Sequence, residues 1–305
     1  MALTYFCQNS LFFLSLSASF RFVVTGVLFA SLWASASIAA KFGLRSVEPL
    51  VLFSIRFLAA GLLLLGYAYG IEKQALPRGK AWKHLLIFSL LNTTVYLGLF
   101  IFAMGQVAAG IGSLATATNP LFIAVLSAAW LGRWLRGREW ISLALGLAGV
   151  GLAAFPLLQQ HVTTPLGLLL LAFSMLSYSA GVIYYGQVDW SLSRTAINGW
   201  QVLMGGLVMA PCAVLFHHTE NRFDPTAFMA IAWLVLPVSV VSVQLWLRLL
   251  RTDAVKASFF LFLCPVFGFI YANLLLDEPF TLYTLGGTAL VLIGLYAGQR
   301  SARKR

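Results

Sequence analysis

The chain has 305 residues, of which 60% are hydrophobic and only 10% are charged, against roughly 25% charged residues in soluble domains. This composition suits lipid rather than water as the main solvent, which excludes a soluble globular domain, a disordered chain and a collagen-like fold. The net charge of +11 comes from basic residues beside apolar segments, where they orient membrane helices, so no nucleic-acid partner is expected.

The first segment, residues 1–20, contains the apolar run 11–16 but no basic residue ahead of it. A signal peptide carries positive charge before its apolar core, so this segment is a poor match for one. We predict an interfacial or unstructured N-terminal extension over 1–20, and a short basic cytoplasmic tail over 300–305.

Uncharged stretches long enough to cross a bilayer fill the chain between these two segments. A hydrocarbon core about 30 Å thick requires roughly 20 apolar helical residues, and the gaps between ionised residues fit either one or two crossings. The predicted fold class is therefore all-α, a polytopic membrane protein with ten transmembrane helices. The spans are expected at 22–40, 49–70, 84–104, 107–131, 140–157, 165–187, 196–217, 227–250, 255–276 and 281–298.

Lys and Arg residues in the loops predict the orientation, because cytoplasmic loops retain them. With the N-terminus inside, 16 of the 20 basic residues fall on the cytoplasmic side. The opposite side receives only Lys41, Arg45 and Arg222, while Arg56 lies within the second span. Both chain ends are therefore predicted to be cytoplasmic.

A shift of 145 residues brings the two halves of the sequence into register without gaps, which indicates an internal duplication. We predict two five-helix repeats, over 21–157 and 158–299. Because five is odd, the second repeat enters the membrane from the opposite side, and a pseudo-two-fold axis lies in the membrane plane. Matched pairs include Ala109 and Ala254, Ser113 and Ser258, Pro120 and Pro265, Phe122 and Phe267, Trp33 and Tyr178, and Arg56 and Gln201.

Five short motifs identify a resemblance that covers roughly residues 20 to 300. They are 32–35 (LWAS), 55–60 (IRFLAA), 119–121 (NPL), 264–266 (CPV) and 276–279 (LDEP). Together they resemble the drug/metabolite transporter superfamily, in particular its EamA-type ten-span members. The resemblance implies export of metabolites or amino acids across a bacterial inner membrane, through a central cavity between helices 1–4 and 6–9, with helices 5 and 10 peripheral. The aromatic-amino-acid exporter group is similar in topology and aromatic content.

One position departs from the pattern of that family. Its members often carry Glu at the ends of both the fourth and the ninth helix, but here Glu278 has Arg133 as its counterpart. The sequence therefore does not support a role that requires both acids. Glu278 is interpreted as a residue with a topological or loop-pairing role.

Polar and aromatic side chains at helical spacing form the candidate substrate site, because polar groups in lipid normally face the bundle or a wet cavity. Weak hydrogen-bonding groups and aromatic walls suit a carrier, which must release its substrate. In the alternative interpretation, Ser and Thr bond to backbone carbonyls of their own helices and the rings simply pack. The predicted substrate-binding residues are Trp33, Ser37, Asn92, Tyr96, Thr116, Asn119, Ser174, Tyr178, Ser242 and Trp246.

Pro120 and Pro265 occupy matched positions and are predicted to be hinges, since a proline inside a helix removes one backbone hydrogen bond; static kinks are the alternative. Arg56 is the only formal charge clearly inside a span. It could attract a substrate carboxylate, but we interpret it as structural, bonding helix ends or snorkelling outward, since its counterpart Gln201 is uncharged.

The expected function is a secondary carrier that exports small organic metabolites, with amino acids as the foremost substrates, by alternating access. No Asp or Glu lies deep in a predicted span, so a proton relay is not indicated and gradient-driven movement is expected. Ion coupling through acids at helix ends or through a cytoplasmic loop is the alternative. The alternatives are a multidrug exporter, a channel or scramblase, and a membrane enzyme. The three distant cysteines and the absence of nucleotide motifs predict no metal, cofactor or catalytic residue. The expected partners are a small-molecule substrate and the lipid bilayer, with the chain as a monomer or weak homodimer.

Overall fold

A computed structural model describes residues 18–130, 137–216, 220–246, 248–249 and 259–302. These residues form ten helices that correspond in order to the ten predicted spans. The fourth helix is interrupted at residues 117–118. The helices are α1 (Ala18–Gly43), α2 (Pro49–Gly70), α3 (Lys80–Met104), α4 (Ala109–Thr116 and Asn119–Trp130), α5 (Gly137–Gln159), α6 (Pro165–Gln187), α7 (Arg194–Leu215), α8 (Pro225–Trp246), α9 (Leu263–Leu276) and α10 (Leu282–Ala302).

Six of the described helices are long and apolar enough to cross a membrane: α1, α2, α3, α6, α7 and α8. The apolar parts of three others are shorter and cover Ala144–Gln159, Leu263–Leu276 and Leu282–Gly294. α4 is divided into two short segments, whereas the sequence predicted one unbroken span over 107–131. The all-helical fold with ten helices is thus confirmed.

Two of the predicted segments lie partly outside the described residues. α1 begins at Ala18, near the end of the predicted extension 1–20, and residues 1–17 are not described. α10 ends at Ala302, within the predicted tail, and residues 303–305 are not described. Arg133 also lies outside the described residues.

Packing between the helices repeats across the two halves. α2 packs on α7, α4 on α9 and α5 on α10, so each pair joins two matched helices. In addition, α3 packs on α6 as α8 packs on α1. A pseudo-two-fold relation between the halves produces this pattern.

The crossing of α2 and α7 shows the relation at single residues. A methyl group placed on Gly61 would lie 2.9 Å from the Leu203 backbone nitrogen, and one placed on Gly206 would lie 3.1 Å from the Leu58 backbone nitrogen. Gly61 and Gly206 are matched positions, and so are Leu58 and Leu203. Small residues let helix backbones approach closely in lipid, and here they do so symmetrically.

The same two helices are tied together at both ends. The Ser193 N–H, just before α7, donates to Gln74 Oε1 at 2.9 Å in the loop after α2. At the other face, the Glu48 N–H, just before α2, donates to Asn221 Oδ1 at 2.7 Å in the loop after α7. Glu48 and Ser193 are matched positions. Each loop therefore satisfies a backbone donor at the start of the opposite helix.

Glu278 joins α4 to the end of α9. Its carboxylate accepts hydrogen bonds from the Ala109 N–H at 2.6 Å and from the Gly110 N–H at 3.1 Å. The first N–H groups of a helix have no partner within the helix, and their dipoles favour a negative charge. Glu278 therefore acts as an N-terminal cap for α4, contributed by the other half.

Replacing Glu278 by alanine is expected to lower the free energy of unfolding by about 1–2 kcal/mol, because two backbone donors lose their acceptor. Thermal unfolding of the purified protein in detergent measures this effect. Asp277→Asn is the matched control, because Asp277 is exposed and its φ of 53° is readily adopted by Asn. Equal melting temperatures for the two variants would contradict the capping role.

Candidate functional site

A narrow cavity of about 80 Å³ lies between the two halves. The described residues that line it come from α1, α2, α3, α4, α6, α7 and α8. The resemblance also placed α9 around the cavity. No described residue of α9 lines it, and Gly268 of α9 packs directly against Ser113 of α4.

Irregular helical turns occur at matched positions beside this cavity. α3 contains a π-helical segment over Leu90–Val95, and α8 contains one over Leu234–Ser242. A shift of 145 residues places the first segment inside the second. π turns leave some backbone groups without their usual partners and are frequent at functional sites. In α3, the Leu91 carbonyl accepts a hydrogen bond from Ser177 Oγ of α6 at 2.7 Å.

A second pair of matched irregularities lies near the two predicted hinge prolines. The break in α4 at 117–118 corresponds to the point where a 3₁₀ turn, Phe259–Phe262, passes into α9. Pro120 is the second residue of the second segment of α4, and Pro265 is the third residue of α9. Both prolines therefore lie in the first turn of an α-helical segment, where a missing N–H is tolerated, rather than in mid-helix. Their hinge role stays a prediction.

Arg56 lies at the cavity with only 6% of its surface exposed. Its Nε–H donates to Ser239 Oγ on α8 at 3.1 Å, and its guanidinium carbon lies 4.9 Å from the Phe53 ring and 5.4 Å from the Phe57 ring. The interpretation of Arg56 as a residue that snorkels outward is therefore wrong. Helix α8 covers this part of α2, so the side chain turns into the protein.

Gln201, the counterpart of Arg56, is also buried at the cavity. Its Oε1 accepts from Asn92 Nδ2 on α3 at 2.9 Å, and its Nε2 donates to Asn198 Oδ1 at 2.8 Å. Asn92 lies in the π segment of α3, as Ser239 lies in the π segment of α8. Each half thus sends one polar side chain to the π segment of the other half.

Aromatic rings form another wall of the cavity. The rings of Tyr96 on α3 and Tyr178 on α6 have their centroids 4.9 Å apart, and both residues line the cavity. Trp33 on α1 lines it as well. Such rings provide apolar contact surface for an organic solute, and the hydroxyl and indole groups can still form hydrogen bonds.

Six of the ten predicted binding residues line the cavity: Trp33, Ser37, Asn92, Tyr96, Thr116 and Tyr178. Two of the four hydroxyl groups among these six residues are bonded to carbonyls of their own helices, as the alternative interpretation expected. Thr116 Oγ1 donates to the Ser113 carbonyl at 2.7 Å, and Ser37 Oγ lies 3.1 Å from the Ala34 carbonyl.

The structure places the other four predicted residues outside the cavity. Ser174 is fully buried and donates to the Tyr96 carbonyl at 2.9 Å, which joins α6 to α3. The Trp246 ring stacks on Phe29 with centroids 4.7 Å apart. Asn119 and Ser242 are buried, and Asn119 Oδ1 and Ser242 Oγ have no hydrogen-bond partner among the described residues.

Arg56, Asn198, Gln201 and Ser239 line the cavity but were not among the predicted binding residues. One signal in the sequence could have identified three of them. Arg56 and Gln201 are matched by the shift of 145, and Asn198 lies three residues before Gln201, on the same face of α7. A polar side chain at the same place in both repeats is expected at their shared interface.

A family model and the similar proteins all indicate the same kind of protein. The EamA-like transporter family matches residues 21–155 and 165–297, which covers both halves. An uncharacterized transporter from Synechocystis is 24% identical over 87% of this chain and 86% of its own. The uncharacterized transporter YvbV from Bacillus subtilis is 27% identical, with 84% of each chain covered.

Two further comparisons concern location and fold. The uncharacterized inner membrane transporter YedA from Escherichia coli is 27% identical over 74% of each chain. A crystal structure with 18% sequence identity has the same fold, with a TM-score of 0.66 over 92% of this chain and 97% of that one. With two matched halves and ten helices, the chain belongs to the EamA-like transporter family and is a multi-pass membrane transporter rather than an enzyme.

Proposed function

We propose that this protein is a secondary carrier that exports small organic metabolites, foremost amino acids, by alternating access. The observation that carries the proposal is the cavity between two matched halves, with Arg56 and Gln201 at equivalent places in its wall. Two similar halves that adopt different conformations can exchange them, which opens a shared cavity first to one face and then to the other.

The chemistry of the lining supports an amphipathic solute. The Tyr96 and Tyr178 rings offer apolar surface, while Asn92, Asn198 and Gln201 offer amide groups. The described lining contains no Asp or Glu, so we propose transport driven by the substrate gradient rather than by protons. A bulky cationic drug would meet Arg56, which disfavours the multidrug alternative.

We further propose that the protein resides in the bacterial inner membrane with both chain ends in the cytoplasm. The name of the Escherichia coli relative supports this membrane, and the excess of basic residues on one side supports the orientation. In this orientation the cap between Glu278 and α4 lies at the outer face.

Counterflow into liposomes that contain the purified protein tests the carrier function. Labelled amino acids should accumulate against unlabelled amino acid trapped inside, saturate with concentration, and move at the same rate with and without a proton gradient. Sugars and cationic drugs serve as competitors, and protein-free liposomes serve as the control. Flux without saturation or competition would indicate a channel or scramblase, and competition by cationic drugs alone would indicate multidrug export.

A further inference from the structure

Arg56 carries a charge that the rest of its site does not balance. Arginine stays protonated in proteins, and burial removes most of the water that would stabilise its charge. One hydroxyl, Ser239 Oγ, accepts from the Nε–H, and the rings of Phe53 and Phe57 lie nearby. In the described part of the chain no carboxylate pairs with Arg56. The guanidinium therefore has donors to offer at the cavity.

Comparison with Gln201 shows that bridging the two halves does not require this charge. Gln201 reaches the π segment of α3 through Asn92 with a neutral amide. Arg56 makes the equivalent bridge to Ser239 in the π segment of α8 with one of its five donors. A neutral side chain thus serves the structural purpose in one half, so the positive charge in the other half needs a separate explanation.

We infer that Arg56 anchors the carboxylate of the transported solute, so that the cavity selects organic acids and amino acids whose carboxylate is free. The planar guanidinium matches a carboxylate with two parallel hydrogen bonds, which are stronger when both groups are charged. This inference rests on the proposed carrier function and names the group that the carrier recognises.

The neighbouring side chains indicate where the rest of the solute lies. Tyr96 lines the same cavity as Arg56, and its ring is 4.9 Å from that of Tyr178. A solute held at Arg56 by its carboxylate would therefore place its apolar or aromatic part against these two rings. Asn92 Oδ1 and Asn198 Nδ2 are not used in the bonds to Gln201, so the first can accept from an amino group of the solute and the second can donate to a hydroxyl oxygen.

Counterflow with matched pairs of competitors tests the anchor. Labelled L-alanine, L-leucine and L-phenylalanine are the transported probes, and each competes with its own unlabelled acid or with the corresponding amide, which lacks the carboxylate. For the wild-type protein, half-inhibition should require about tenfold or more amide than acid, because a site built for a polar group rejects the analogue that lacks it. In Arg56→Gln the two concentrations should become similar.

Two further variants complete the test: Arg56→Lys separates the positive charge from the paired hydrogen bonds, and Arg45→Gln is the control. Arg56→Lys keeps the positive charge but not the planar pair of donors, so part of the preference for acids should remain. Arg45→Gln removes an exposed positive charge elsewhere, and its preference should equal that of the wild type. Elution as a single species in detergent shows which variants are folded.

The outcomes distinguish the anchor from the carrier. Saturable counterflow in which the wild type accepts acid and amide equally overturns the anchor and leaves the carrier function standing, and this measurement needs no variant. An unchanged preference in folded Arg56→Gln also overturns the anchor. A complete absence of saturable counterflow with all three probes overturns the proposed function as an amino-acid carrier.

Discussion

Tyr96→Ala and Tyr178→Ala are each expected to reduce transport at low substrate concentration by roughly ten- to a hundredfold. Both rings line the cavity, with centroids 4.9 Å apart. Loss of the contact area of one ring removes about 1.5–3 kcal/mol of interaction with a bound solute, which corresponds to that change in affinity. Initial rates of counterflow over a range of substrate concentrations measure the loss.

Conservative changes and a distant tyrosine provide the controls. Tyr96→Phe and Tyr178→Phe keep the rings and should retain most of the transport. Tyr67→Ala removes a tyrosine that is exposed on α2, away from the cavity, and its rate should match that of the wild type. Wild-type rates in both alanine variants would remove the aromatic wall from the proposed binding site.

Gly287→Val is expected to destabilise the protein by about 3 kcal/mol, at the upper end of the usual cost of overpacking. A methyl group on Gly287 of α10 would lie 2.8 Å from the Ala153 backbone nitrogen of α5, and one on Gly149 would lie 2.5 Å from the Gly287 carbonyl oxygen. Backbone atoms offer no rotamer that relieves such a contact, so the two helices must separate. Gly149→Val should behave in the same way.

Neighbouring glycines of the same two helices give matched controls for this prediction. A methyl group on Gly286 would meet only the end of the Leu152 side chain at 3.4 Å, and one on Gly151 would meet nothing within 4 Å. Gly286→Val and Gly151→Val should therefore melt close to the wild type, and all four variants can be compared by thermal unfolding in detergent. Equal melting temperatures for Gly287→Val and Gly286→Val would contradict the close packing of α5 on α10.

The ten helices and the two halves could be predicted from the sequence because both depend on patterns along the chain. The number of crossings follows from the spacing of charges, since every ionised residue in lipid is costly. The register of the halves follows from one constant shift, which the close contacts at Gly61 and Gly206 reproduce. Local breaks such as that at 117–118 depend on how neighbouring helices satisfy the freed backbone groups, so hydropathy gives no signal for them.

The cavity was predicted less completely, because a polar side chain on the inner face of a helix has two different destinations. Ser174 and Tyr178 are four residues apart on the same face of α6, yet Ser174 is buried against α3 while Tyr178 reaches the cavity. Helical spacing identifies the face but not the depth at which a neighbouring helix stops covering it. Arg56 illustrates the same limit, since the position of α8 decides whether it points inward or outward.

The bonds at both ends of α2 and α7 bear on how such a protein moves. These two helices meet at Gly61 and Gly206 and are fastened again by the loops at Gln74 and Asn221. A rearrangement that preserves these contacts moves α2 and α7 together as one rigid unit. In such a rearrangement α3 and α8 would move relative to this pair. Each has a π-helical segment in its middle, so one of them can bend there while the other straightens.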